Sequence, residues 1–277
     1  LASGLLVFLI SISGAMYAFK DEIFNKVHYS AQHVPQVGTA PLPLDSLWQS
    51  AQKHLGPEHP VNFTNTFSDP TRTWEFRSYK YNAEKVSYFN WCEYDFIVYV
   101  NPYTAQVQHV LNHKTEFFQL VKMFHWSFWL NTKIGQPIVG WTVLVFLIGL
   151  LSGLVLWWPF GKKSKKRAFM IPATQNWKVL NYDLHNVLGF YSLPFAIVLS
   201  LTGMVWAFKW FMALVYVVAN LSTARPTEVN AVSQPLPEQQ VMTYDTIYKQ
   251  AKLNHATAYS ISVYAVSENK EATIDTY

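Results

Sequence analysis

The sequence predicts a membrane α-helical bundle combined with α+β water-facing domains, built by duplication of a helix-plus-domain unit. Three observations predict it. Uncharged stretches of membrane length run from Leu1 to Phe19, from Ile134 to Gly161 and from Leu184 to Phe208, and about 20 apolar residues suffice to cross the hydrocarbon layer. The 277 residues are 51% hydrophobic and only 14% charged, yet mean hydropathy is just +0.07, so substantial aqueous segments must alternate with the apolar ones. The third observation is an internal repeat. Setting Gly203 against Gly14 superposes Ser192 on Ser3, Ser200 on Ser11, Thr202 on Ser13, Ala207 on Ala18 and Phe208 on Phe19. Setting Asp245 against Asp45 superposes Ala251 on Ala51, with Thr246, Ile247 and Tyr248 replacing Ser46, Leu47 and Trp48.

The first membrane helix is drawn over residues 1–24. A secretory signal core is the competing reading, but no basic leader precedes Leu1 and no small-residue cleavage site follows Ala15. The abrupt apolar start suggests a helix whose beginning lies upstream. Residues 25–118 have the composition of a folded aqueous domain. Leu44, Leu47, Ala51 and Leu55 recur at helical spacing, with Asp45 as N-cap and Gly56-Pro57 as the stop. Val61 to Phe67, Thr71 to Tyr81 and Phe96 to Val100 are rich in β-branched and aromatic residues, and the turn Asn101-Pro102-Tyr103-Thr104 leads to Val107 and Val110. A helix on a small antiparallel sheet follows.

The outer approach and second membrane helix occupy 119–160, ending in the interface anchor Trp157-Trp158-Pro159. Residues 161–182 form a loop whose charges, Lys162, Lys163, Lys165, Lys166, Arg167 and Lys178, are all basic, which places it in the cytoplasm by the positive-inside rule. Helix three with its outer extension covers 183–221, and 222–277 restarts the external domain. If the duplication is complete, a fourth membrane helix follows residue 277.

Composition excludes several classes. A net charge of +4 without a basic stripe or nucleic-acid motif argues against nucleic-acid binding. Cys92 is alone, so neither an internal disulfide nor a thiolate cluster can form, and there is no Cys-x-x-Cys-His for covalent haem attachment. A glycine-rich phosphate loop for NAD or FAD is also lacking.

Two of the nine histidines stand out. His185, in Asp183-Leu184-His185-Asn186-Val187-Leu188-Gly189, opens an apolar segment, where an ionisable group is costly unless used. His125 lies in Lys122-Met123-Phe124-His125-Trp126, at the outer approach to helix two. Neutral imidazole is a common metal ligand and a standard axial ligand of haem; the plainer accounts are an interfacial aromatic belt for His125 and a headgroup-level helix start for His185. The two fall on opposite membrane faces and cannot share one haem. Gly14, Gly149, Gly153 and Gly203 would let a macrocycle approach the helix backbone, although ordinary small-residue helix packing is the stronger account. The remaining histidines, among them His109 and His113, read as solvated surface. Tyr79, Tyr81, Tyr88, Phe89, Trp91 and Tyr94 are read as hairpin packing, with an aromatic face for an iron complex as the alternative.

Several motifs together carry a resemblance. Val98-Tyr99-Val100-Asn101-Pro102-Tyr103-Thr104-Ala105-Gln106-Val107, then Phe117-Phe118 and His125, then Ser152-Gly153-Leu154 with Trp157-Trp158-Pro159, then Leu184-His185-Asn186-Val187-Leu188-Gly189 resemble the PepSY-associated transmembrane family. The resemblance implies a bacterial inner-membrane protein with four core helices and PepSY-like domains in the periplasm. It implies membership of a group that includes haem-binding reductases of ferric siderophores. His125 and His185 would be axial ligands of two b-type haems, each completed by a histidine outside residues 1–277. Ala105 departs from the pattern, standing where the turn often has glycine. The implied function is transfer of electrons from a cytoplasmic or quinol donor across the lipid bilayer to a ferric siderophore. The alternative is a non-enzymatic, membrane-anchored PepSY protein that binds a peptide, senses, or regulates a peptidase.

Overall fold

A computed structural model describes residues 2–158, 169–171, 176–223 and 243–265. The basic cluster Lys162 to Arg167 and the end of the chain past Ala265 lie outside the described residues. Two compact units divide the chain: residues 1–13 with 124–225, and residues 14–123 with 226–277.

The first unit is helical. α1 (Ala2–Ala18) begins in it. The sequence drew one helix over 1–24, but α1 stops at Phe19 and α2 (Lys20–Val27) continues at 51° to it, so the pair qualifies as a membrane span only as a bent one. The bend falls where the apolar run gives way to Lys20, Asp21 and Glu22. α7 (Thr132–Trp157) and α8 (Trp177–Ala207) are each long and apolar enough to cross a bilayer. Asn131 caps α7, its Oδ1 accepting from Lys133 N at 3.0 Å, and Asn176 caps α8 by accepting from Lys178 N at 3.2 Å. That cap starts α8 well ahead of Asp183, so His185 sits in the third turn rather than at the opening. Beyond Phe208 the chain resumes as α9 (Lys209–Asn220).

α7 and α8 pack antiparallel. Gln136 Nε2 donates to Trp206 O at 2.9 Å near one end, and the Trp157 and Phe190 rings meet at 5.1 Å near the other. A Cβ on Gly140 would stand 2.6 Å from Ala207 Cβ and 2.9 Å from the Phe208 ring, so glycine lets the helices close here. Leu156, Phe195 and Leu199 point outward, each more than two-thirds exposed. Such a surface is stable against lipid, not water.

The second unit is an α+β layer. Its sheet has the order β4-β3-β2-β1-β5, antiparallel throughout, from β1 (Phe63–Phe67), β2 (Trp74–Tyr81), β3 (Cys92–Val100), β4 (Val107–Asn112) and β5 (Ser260–Tyr264). One face is covered by α4 (Leu44–Leu55) and α10 (Tyr244–Asn254). Leu44, Leu47, Trp48 and Ala51 from α4 meet Tyr248 and Ala251 from α10 over Trp74, Phe76, Val98, Val100, Ile261 and Val263. The segment drawn as a second domain therefore shares one sheet and one core with the first over its described part. Asp45 is not the cap of its own helix, whose N-cap is Pro43. Its carboxylate accepts from Tyr244 N and Asp245 N, both at 3.1 Å, while Asp245 Oδ1 accepts from Leu44 N at 3.2 Å. Each helix thus caps the other, placing negative charge where the helix dipole favours it.

β3 begins at Cys92, earlier than its sequence suggests, because Lys80 pairs across with Tyr94 and holds Glu93 at 2.8 Å. Ala105 adopts φ 59 in the turn before β4, the conformation that glycine takes most cheaply. This unit also holds α2, α3 (Tyr29–Gln32), α5 (Tyr88–Trp91), a 3-10 turn at His113–Thr115 and the start of α6 (Phe117–Ser127).

Candidate functional site

α6 delivers His125. Its first turn is capped by Glu116, whose Oε2 accepts from Gln119 N at 2.8 Å, and its last turn holds the histidine. The chain then reverses through Phe128 and Trp129, both at positive φ (52° and 56°), with Ser127 Oγ donating to Leu130 O at 2.9 Å. Gly135 completes the corner, since a side chain there would collide with the Ser127 carbonyl.

The imidazole is held from α1. Nδ1 lies 2.9 Å from Ile10 O and 3.2 Å from Ser13 Oγ, and that hydroxyl also bonds to Leu9 O and Ile10 O, both at 2.9 Å. A backbone carbonyl only accepts, so Nδ1 carries a proton, and in the neutral ring the lone pair is then on Nε2. Histidines that bind metal are oriented in this way, the second ring nitrogen donating to a carbonyl or carboxylate. Ile10 and Ser13 are buried while His125 is half-buried.

His185 lies elsewhere. Trp126, next to His125, packs on Trp206 at 6.0 Å, whereas His185 is five residues from Phe190, which contacts Trp157. From His185 to Trp206 the rise along α8 is about 30 Å, roughly the thickness of the hydrocarbon layer. The structure does not bring the two histidines together. His185 is exposed, and Gly189, one turn along the same helix face, has no atom within 4 Å of where a Cβ would be. Gly149, Gly153 and Gly203 are likewise exposed and open, and Gly14 is half-buried. None of the first three makes the close helix contact expected of them; Gly135 and Gly140 do.

A second polar centre lies in the sheet unit. Asp95, fully buried, accepts from Arg77 Nε at 2.8 Å and Nη2 at 2.5 Å, and pairs with His113 Nδ1 at 2.9 Å. Burial by itself would raise the Asp95 pKa, but the bonds from His113 and Arg77 and the attraction of the guanidinium outweigh it and hold the value down at about 2. His113 is therefore tied into a buried ion cluster and is not solvated surface. The aromatic stretch is divided as well. Tyr88 is buried and donates to Lys114 O at 2.9 Å, Tyr81 stacks on Trp91 at 4.4 Å, and Tyr94 packs on His59 and Phe96.

Among the described residues, no three histidine, cysteine, aspartate or glutamate side chains converge on a point that could hold a metal ion. A metal at His125 or His185 would need most of its ligands from a cofactor. The outward-facing spans and the separate antiparallel sheet make this an integral membrane protein carrying a folded domain. Residues 1–271 match the PepSY-associated TM region, PepSY_TM, and the chain belongs to that family. No curated protein matches it.

Proposed function

We propose that the protein is a haem-binding reductase of the bacterial inner membrane that carries electrons to a ferric siderophore in the periplasm for iron uptake. The observation that supports it is the His125 imidazole, held at Nδ1 by Ile10 O of α1 at 2.9 Å, the arrangement that orients the other ring nitrogen of a metal-binding histidine. Haem, when bound, supplies a one-electron couple that the side chains lack.

The chain's own residues hold and separate the sites. α1 fixes the imidazole plane of His125. α8 sets His185 about 30 Å away, too far for a shared macrocycle, so two b-type haems are expected, one at each histidine. Gly149, Gly153 and Gly203, with open space beside them, offer flat helix surface for a ring, and Gly14 is the matching candidate on α1. Electrons come from a cytoplasmic or quinol donor. Reduction loosens a siderophore's hold because hard oxygen ligands favour ferric over ferrous iron.

The test is a reduced-minus-oxidised visible spectrum with haem content per chain on full-length protein. Two b-type haems are expected, His125→Ala losing one and His185→Ala the other, and either change should stop reduction of a periplasmic ferric acceptor. A colourless, pure, folded preparation would overturn the reading and leave a membrane-anchored binding protein.

A further inference from the structure

α9 (Lys209–Asn220) has no buried residue, although Lys209 carries the only charge in it. Trp210, Met212, Leu214, Val215 and Val218 are each at least 41% exposed. They do not form one stripe. Residues two apart on a helix project about 200° from each other, so Trp210 and Met212 point to opposite sides. A helix that docks on one protein surface keeps its other face polar, whereas an apolar surface on both sides is matched by lipid.

The place of α9 in the helical unit points the same way. It leaves α8 at Phe208, whose buried ring packs on Trp141 at 5.5 Å beside Gly140. Gly140 lies about 10 Å along α7 from Lys133, the last charged residue before the apolar run of that helix. α9 therefore starts below the charged end of the span, inside the apolar layer. Its 12 residues make it about 18 Å long, too short for a layer of roughly 30 Å. Lys209 at its start has a stem long enough to carry the ammonium to the headgroups, and Asn220 Nδ2 closes its end by donating to Tyr216 O at 2.9 Å.

We propose that α9 is a half-membrane helix, embedded in the leaflet on the His125 side, with acyl chains and not protein covering both its sides. The proposal is independent of haem, because no redox step enters it. Cys92 is buried, so cysteines introduced singly into full-length protein as Met212→Cys, Val215→Cys and Val218→Cys take a bimane probe selectively. In vesicles of phosphatidylcholine and phosphatidylglycerol, iodide quenches such probes from water and brominated acyl chains quench them from lipid. All three should lose emission to brominated lipid as strongly as Leu199→Cys on the exposed side of α8, and chains brominated near the headgroup should quench them more than chains brominated at the tip. Iodide should act on Glu84→Cys, which is exposed in the sheet unit, and not on α9. Iodide quenching at α9 equal to that at Glu84→Cys would overturn the proposal by placing the helix in water. Lipid quenching at Val218→Cys without any at Met212→Cys would overturn it by showing a partner protein or a second copy on one side, and stronger quenching from the chain tips would overturn the half-membrane depth.

Discussion

At the scale of single residues, histidine identity was legible but histidine environment was not. His125 stood out because an imidazole near an apolar helix demands a use. Its bond to Ile10 O joins positions far apart in the chain, and local spacing carries no trace of it; the hydroxyl of Ser13 within an uncharged helix was the one available signal. His113 looked like surface because Asp95 and Arg77, its partners, are strand neighbours that meet only once β2, β3 and the turn after β4 are in register. This cluster makes a pH prediction. The folded-state pKa of Asp95, about 2, lies below the unfolded value near 3.9, so the carboxylate stabilises the fold above pH 4, and the contribution, about 2 kcal/mol, fades as pH falls towards 2. Asp95→Asn should destabilise the sheet unit by about 2–4 kcal/mol at neutral pH, because it leaves Arg77 buried without its counter-charge. Denaturant titrations should show the gap between wild type and variant narrowing below pH 4; a gap constant from pH 7 to 2 would refute the assignment.

Elements were read more reliably than their ends. The helix over Leu44–Leu55 and the order of the first four strands follow from periodicity and turn chemistry, which are local. β5, the reciprocal caps and the bend at Phe19 depend on distant partners or on a change of solvent along a helix. Of the glycines at which small-residue packing is expected, Gly149, Gly153 and Gly203 face open space, since a glycine's role depends on what faces it. Gly140 faces Ala207 and Phe208 at distances no side chain would allow. Gly140→Leu should therefore force α7 and α8 apart and cost about 1–3 kcal/mol, read as a lower thermal midpoint in detergent, while Gly189→Leu on the open face of α8 should shift it far less. Equal shifts would remove the packing argument.

At the scale of the molecule, the spans and a sheet domain were foreseen from the alternation of apolar and polar composition. Orientation across the membrane rests on the basic loop and is open to direct test. Cys92 is buried, and burial together with the nearby Asp95 pushes its thiol up to about 11, so it should stay silent to maleimides at neutral pH. A cysteine introduced as Glu84→Cys on the exposed end of the β2–β3 connection should then react with an impermeant maleimide added outside spheroplasts. Labelling only from the inside of inverted vesicles would reverse the assigned topology. The pairing of β1 with β5, and of Asp45 with Asp245, also bears on how the protein is made. At roughly 5–20 residues per second, the ribosome delivers β5 tens of seconds after β1, and it releases two bilayer-crossing helices in between. Until then β1 has an open edge and α4 an uncapped first turn, a state prone to mispairing. Maturation of the domain therefore waits on insertion of the spans, and a chaperone that shields a bare strand has its natural opportunity in that interval.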